Sequence, residues 1–258
     1  MNIDYYLINP TENITLLVET SVSRELQPLV ASRLLHLEKR GEQVGFIEEN
    51  SKYDISVRMA GGEFCGNAVL SAAALYLKEN PNKNNINICL SGVPVSVKVN
   101  SCNENKYGFS AILKNDAVIK RITFDYNEKT FNLPIVSLGG ISHIIAEKSN
   151  LDFPPEKVIK KICKEINESA LGIMVFDGES KSLTPLVFVN EGDTLYWEKS
   201  CASGTAALGA YLFHITGSKI PLDINEPGGQ LNITADKDNL ILSGNAVVEL
   251  KKQVDIAF

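Results

Sequence analysis

Cys65-Gly66-Asn67-Ala68-Val69-Leu70-Ser71-Ala72-Ala73-Ala74-Leu75-Tyr76-Leu77 opens with small residues and runs on as an Ala/Leu-rich apolar stretch. It reads as a helix beginning at the cysteine. Cys201-Ala202-Ser203-Gly204-Thr205-Ala206-Ala207-Leu208-Gly209-Ala210-Tyr211-Leu212 has the same character. The interval from Cys65 to Cys201 recurs in a second pair of landmarks, Gly92 and Gly228. Gly92 precedes the alternating Val93, Val95, Val97 and Val99, and Gly228-Gly229 precedes Leu231 and Ile233. A helix, a glycine and then a strand therefore occur twice at one constant offset. The period is too long for a solenoid, so the repeat implies two structurally similar α/β halves, with a boundary in the polar stretch from Asn115 to Lys129.

The rest of the chain fits such halves. Thr15 to Val18, Val44 to Ile47, Ile55 to Arg58, Ile86 to Leu90, Ile135 to Leu138, Ile144 to Ala146, Ile173 to Phe176 and Leu186 to Val189 are short, β-branched runs that read as strands. Arg24 to Arg40 and Pro155 to Ile166 carry apolar residues at helical period. At 258 residues, 44% hydrophobic and 22% charged, the chain has material for a sizeable core, which excludes disorder as its main theme. Twenty-five Lys and Arg against 31 Asp and Glu leave a net charge of −6, an unfavourable balance for nucleic acid. The longest apolar stretches, Ala68 to Leu77 and Ala206 to Ile215, fall short of the roughly 20 residues that span a bilayer. The start Met1-Asn2-Ile3-Asp4-Tyr5-Tyr6 has an acid and no base, unlike a secretory leader, so a cytoplasmic protein is expected. Cys65, Cys89, Cys102, Cys163 and Cys201 are odd in number and lack C-x-x-C spacing, which suits reduced thiols better than disulfides or zinc.

A cysteine at a helix N-terminus meets unpaired backbone N–H groups and the positive end of the helix dipole, which favour thiolate. The same donors bind carboxylates. If the two halves bring their equivalent helices to a shared cleft, Cys65 and Cys201 can face one small anion from opposite sides. That arrangement suits two-base proton exchange at an amino acid's α-carbon, one thiolate removing a proton while the opposite thiol supplies one. The helix N–H groups would steady the carboxylate as it gains enolate character, without metal or pyridoxal. The plainer reading of either cysteine, a small buried core residue at a helix start, stands beside this one.

At these residues the sequence resembles the diaminopimelate epimerase fold family over most of its length. Cys65-Gly66-Asn67 is similar to that family's C-G-N, Ser200-Cys201-Ala202-Ser203-Gly204-Thr205 to its A-C-G-[ST]-G, and Gly228-Gly229-Gln230-Leu231 to its G-G-x-L. The resemblance implies two pseudo-symmetric α/β domains, each a curved sheet or barrel around a central helix, with the active site in the cleft between them. Residues 1–118 would carry Cys65, with a segment of about 250–258 returning to them, and residues 119–249 would carry Cys201. It also implies Cys65 and Cys201 as the acid/base pair. Gly66, Asn67, Ala202, Ser203, Gly204 and Thr205 would surround the α-carboxylate, and Asn13 and Glu198 would lie in the site, Glu198 near the α-amino group.

The departures bear on substrate. Diaminopimelate enzymes use asparagines and an arginine to hold a second amino-acid head. Here the G-N-P-H position reads Gly139-Gly140-Ile141-Ser142-His143, the later strand begins Gly172-Ile173, Met59-Ala60-Gly61-Gly62 has no asparagine, and Lys199 replaces the arginine. Glu42-Gln43-Val44-Gly45-Phe46-Ile47-Glu48, Gly62-Glu63-Phe64-Cys65-Gly66-Asn67-Ala68, the short Trp197-Glu198-Lys199-Ser200-Cys201 and Pro227-Gly228-Gly229 look like the branch that racemises histidine for staphylopine-type metallophores. That branch implies interconversion of L- and D-histidine without cofactor or metal, a small amino acid as sole partner, and a homodimer as the candidate assembly. Glu42 is then either a solvated turn carboxylate or the group that accepts a ring N–H of the substrate. Glu63 reads as a first-turn helix acid. His36, His143 and His214 receive no role, and Cys89, Cys102 and Cys163 read as structural thiols. The competing functions are diaminopimelate or lanthionine epimerisation, a phenazine-pathway type of isomerase, which generally lacks the cysteine pair, and a non-catalytic thiol protein.

Overall fold

The computed structural model describes residues 1–138, 140–190 and 193–256, with the backbone alone at 220. Gly139, quoted above, and the last two residues of the expected returning segment lie outside the described residues. In chain order the elements are β1 (Asn2–Pro10), β2 (Thr15–Val18), α1 (Gln27–Leu37), β3 (Gln43–Ile47), β4 (Ile55–Met59), α2 (Gly66–Glu79), β5 (Asn85–Leu90), β6 (Val93–Asn103) and β7 (Lys106–Lys114). Then come β8 (Val118–Tyr126), β9 (Lys129–Leu138), β10 (Ile141–Glu147), α3 (Pro155–Glu165), β11 (Ala170–Asp177), β12 (Ser182–Val189) and β13 (Thr194–Trp197). The chain ends with α4 (Ala202–Thr216), β14 (Ile220–Glu226), β15 (Gly229–Ala235) and β16 (Asn239–Asp255). Met1–Leu113 with Ser243–Phe258 make one compact unit, and Lys114–Leu242 a second.

In the first unit the strands follow the order β1-β2-β3-β4-β5-β6-β7-β16, and β16 also pairs with β1, so the sheet closes on itself as a barrel. The closing register runs antiparallel from Asn2 opposite Asp255 to Pro10 opposite Ala246. Closure removes the exposed edges that an open sheet would have to protect. Two of the pairings, β2 with β3 and β4 with β5, are parallel, and each is bridged by a helix, α1 and α2 respectively. α2 is buried without a break from Gly66 to Leu75 and packs on β1, β2, β4 and β5. Its alanines allow that close approach, because they bury backbone-proximal surface with no side-chain entropy to lose. A core of Ile3, Leu7, Leu16, Val18, Val30, Leu34 and Phe46 holds α1 on the sheet.

The second unit orders its strands β15-β14-β12-β11-β10-β9-β8, with β13 added beside β12. β9–β10 is antiparallel, β10–β11 parallel across α3, β11–β12 antiparallel, β12–β14 parallel across α4, and β14–β15 antiparallel. This succession is the one found from β1 to β6: antiparallel, parallel over a helix, antiparallel, parallel over a cysteine-headed helix, antiparallel. α4 is buried from Ala202 to Ala210 and packs on β9, β10, β11, β14 and β15.

One local expectation needs correction. The helix expected over Arg24 to Arg40 spans only Gln27–Leu37. Pro28, which cannot donate a helical hydrogen bond, confines the start to the first turn. Glu38 leaves helical geometry at φ −99°, ψ 88°, and its carboxylate takes a hydrogen bond from Lys252 of β16. The polar stretch expected to hold the boundary, Asn115 to Lys129, opens the second unit, which begins at Lys114, and most of it is strand β8, antiparallel to β9. Its polarity belongs to one face, while Ile122, Phe124 and Tyr126 on the other pack into the core with Phe131 and Phe153.

Candidate active site

Each cysteine caps a helix with its own sulfur. Cys65 has extended backbone angles, φ −135° and ψ 113°, and its Sγ accepts the N–H of Ala68 at 3.4 Å. Cys201 has φ −132° and ψ 93°, and its Sγ accepts the N–H of Gly204 at 3.4 Å. The first intrahelical bonds, Val69 N–H to Cys65 carbonyl and Thr205 N–H to Cys201 carbonyl, are 3.1 and 2.9 Å. Both sulfurs thus occupy the N-cap place where a serine or aspartate oxygen usually sits.

Beyond the cap the two environments diverge. The Cys65 thiol donates to Gln43 Oε1 at 2.9 Å, and Gln43 Nε2 donates in turn to Asn13 Oδ1 and Thr15 Oγ1, each at 2.7 Å. The register explains the reach: Gln43 opens β3 directly opposite Thr15 on the parallel neighbour β2. Asn13 is brought there by a tight turn after β1, in which Thr11 and Glu12 adopt positive φ and Asn13 N–H bonds Pro10 carbonyl at 3.1 Å.

Cys201 sits deeper, 3% exposed. Its backbone N–H donates to Glu226 Oε2 at 2.5 Å, and the Thr205 hydroxyl donates to the other oxygen of that carboxylate. Burial pushes the Cys201 thiol well above the ordinary thiol range, and the nearby negative charges of Glu198 and Glu226 push the same way, against the Ser203 hydroxyl and the Gly204 N–H. The helix N-terminus does pull Cys201 toward thiolate, through the Gly204 N–H, and desolvation and two carboxylates oppose it. Burial also raises the Glu226 carboxyl to about 7, although the Thr205 hydroxyl and Cys201 N–H hold it back. Gly204 is required by close approach: a Cβ there would lie 2.1 Å from Met174 Sδ and 3.2 Å from Cys201 Sγ.

The structure gathers Asn13 with Cys65, while Gly66 and Asn67 form the buried first turn of α2. Ala202, Ser203, Gly204 and Thr205 form the buried first turn of α4, with Ser203 Oγ 3.6 Å from Cys201 Sγ. Glu198 follows β13 and is half-buried, its N–H bonded to Pro185 carbonyl at 2.9 Å. Glu42 is half-buried as well, and its N–H bonds Ile14 carbonyl at 2.9 Å, so it is not a fully solvated turn residue. Glu63 lies outside α2, two residues before its cap, and so is not the first-turn acid expected. All five cysteines are free; Cys163 is buried and donates to Glu168 carbonyl at 3.3 Å, Cys89 is half-buried, and Cys102 is exposed. His143 is fully buried on β10, its ring packed over Gly172, and desolvation lowers it to about 3.

Sequence reasoning missed two residues, Gln43 and Glu226. Glu226 ends β14 just before the Pro227-Gly228 turn, and the equivalent turn after β5 is Ser91-Gly92. The repeat therefore sets Glu226 against Leu90, which is fully buried. Among the described residues no three His, Cys, Asp or Glu side chains gather where they could hold a metal ion, and no helix is long and apolar enough to cross a membrane.

The sequence model described as the histidine racemase CntK N-terminal domain matches residues 2–257. The chain is 31% identical to a histidine racemase of Fusobacterium nucleatum, over 98% of this chain and 97% of that protein. It is 25% identical to a histidine racemase of Staphylococcus aureus, over 91% and 89%. Among solved structures it shares its fold with a phenazine biosynthesis protein of the PhzF family from Bacillus anthracis, TM-score 0.71 at 14% identity over 99% and 100% of the two chains. A hydroxyproline epimerase from Agrobacterium vitis gives the same TM-score at 11% identity, over 98% and 91%.

Proposed function

The chain belongs to the histidine racemase family, and from that premise we propose that it interconverts L- and D-histidine by a two-thiol mechanism. The observation that carries the mechanism is the matched pair of caps: Cys65 and Cys201 each head a buried helix with the sulfur 3.4 Å from the third helical N–H. A thiolate of one takes the α-proton, the C–H electron pair passes into the carboxylate, and the thiol of the other gives its proton to the opposite face of the carbon. Configuration inverts and the two sulfurs exchange protonation states. First-turn N–H groups, which have no partner within a helix, are the natural donors for the carboxylate as its charge grows. Gly66 and Asn67 open one of those turns and Ala202 and Ser203 the other; Gly204, whose N–H meets Cys201 Sγ, and Thr205, whose N–H bonds the Cys201 carbonyl, would line the carboxylate without giving it those N–H groups. Glu198 would hold the α-ammonium, and Glu42, adjacent to Gln43, would accept an imidazole N–H. The proposal includes the two-domain, pseudo-symmetric organisation read from the repeat, and on the sequence reading a cytoplasmic location and a homodimer. It requires both thiols to reach one α-carbon.

Incubation with a panel of L-amino acids, diaminopimelate included, in deuterium oxide tests substrate and chemistry together. Histidine should incorporate α-deuterium and racemise, and diaminopimelate should not compete with it. Cys65→Ala and Cys201→Ala should each lose at least a thousandfold in racemisation while remaining folded. Racemisation near the wild-type rate in either variant would remove the two-thiol mechanism, and preference for another amino acid would remove the substrate assignment.

A further inference from the structure

The side chain of Gln43 holds Cys65 in one protonation state. An amide oxygen only accepts, so the 2.9 Å contact with Oε1 needs a proton on the sulfur. When Cys65 ionises, a thiolate and a carbonyl oxygen are left facing each other at hydrogen-bond distance. Half a turn of the Gln43 amide relieves this: Nε2 then donates to the thiolate, and Oε1 faces Thr15 and Asn13. Both neighbours can serve the turned amide. The Thr15 hydroxyl, now 3.5 Å from Asn13 carbonyl, can rotate to donate to Oε1, and the Asn13 amide can present its own N–H. No bond is made or broken, and no proton leaves the amides.

We propose that Gln43 is a positioning residue for racemisation, an amide switch that accepts from Cys65 as a thiol and donates to it as a thiolate. The inference rests on the two-thiol reading above. It gives the two sulfurs different parts at rest. Burial and the carboxylates of Glu198 and Glu226 weigh against a thiolate at Cys201, whereas Gln43, one partner of Cys65, is neutral and able to reverse its polarity. The proposal places the charge of the ionised resting enzyme on Cys65. The charged residues next to the members of this bonded set are Glu12 beside Asn13, Glu42 beside Gln43 and Glu63 two residues before Cys65; Arg58 of β4 is directed to Gln27 and Met59 carbonyl. All four are unchanged in the variants below, so a shift between proteins reports on Gln43.

Ionisation of Cys65 can be read from the pH dependence of iodoacetamide alkylation in the full-length, substrate-free enzyme, with each cysteine peptide counted separately by mass spectrometry. In Gln43→Glu the side chain accepts but, once ionised, cannot donate, and it adds a negative charge. The Cys65 titration should move to higher pH by half a unit or more, and kcat should fall at least tenfold with a smaller change in KM. Gln43→Leu, which neither accepts nor donates, should move the titration in the same direction by less and guards against misfolding of the glutamate variant. A shift below half a unit in Gln43→Glu, or below a quarter unit in Gln43→Leu where the glutamate variant does not fold, overturns the proposal. Alkylation needs no turnover, so this result stands whether or not the two-thiol mechanism survives the cysteine variants.

Discussion

Replacing Glu226 by glutamine should reshape the pH dependence of stability, and the effect can be sized from the site. The folded carboxyl titrates at about 7 against an ordinary 4.5, because burial penalises its charged form more than its hydrogen bonds favour it. Below pH 4.5 the group is protonated in both folded and unfolded chains, and its contribution is fully present. Between 4.5 and 7 only the folded chain holds the proton, so the contribution is lost as pH rises through the folded value. At roughly 1.4 kcal/mol per pH unit that loss is about 3 kcal/mol. Glutamine keeps an oxygen for the Cys201 N–H, and the Thr205 hydroxyl can turn to accept from its nitrogen. Urea unfolding at pH 8 and at pH 4.5 should therefore show the variant losing about 3 kcal/mol relative to wild type on going to the lower pH. Taking the difference between the two proteins cancels the other carboxylates. A stability difference that stays constant to within about 0.5 kcal/mol between those pH values, with both proteins folded, would refute the reasoning.

His143 acts in the opposite sense. Its folded value of about 3 lies below the ordinary 6.5, so its contribution is present above pH 6.5 and is lost as pH falls, and His143→Phe should gain about 2 kcal/mol on wild type between pH 6.5 and 4.5 in the same assay. Gly204→Ala drives a Cβ to 2.1 Å from Met174 Sδ, which should cost about 1–3 kcal/mol of stability in urea unfolding and lower kcat through the displaced Cys201, with an unchanged kcat as the contrary result.

The twin helices were legible because their signal is local: a small residue at the cap, then an apolar run long enough to exclude a strand. The equal intervals from Cys65 to Cys201 and from Gly92 to Gly228 exposed the duplication, whose parts recur as the same succession of strand pairings. What escaped was non-local. β1 and β16 pair across nearly the whole chain, and neither alternates cleanly enough to stand out alone, so the return of about 250–258 came only from the family resemblance. β8 was hidden by having one solvated face. Gln43 is one polar residue at a strand start, and only its register opposite Thr15 turns it toward Cys65. Glu226 did leave a trace, since the repeat pairs it with buried Leu90, and an acid that replaces a core leucine calls for an explanation.

Unequal backing of the two sulfurs raises a question of balance, since L- and D-enantiomers have equal free energy. Their equilibrium constant is one, so kcat/KM must be the same in both directions at every pH, however different the two thiols are. A resting charge on Cys65 cannot therefore make the enzyme a better catalyst for one enantiomer at low substrate. It can only move kcat and KM together, the enantiomer that meets the ready thiolate binding productively and its mirror image waiting for the proton to change places. On the two-thiol proposal, Glu226 and Gln43 would act on that wait. Burial, with Glu198 and Glu226 beside it, makes a charge on Cys201 costly, and on the proposal above the Gln43 amide makes one on Cys65 tolerable, so part of the free energy separating the two protonation forms would lie in side chains that need not touch the substrate.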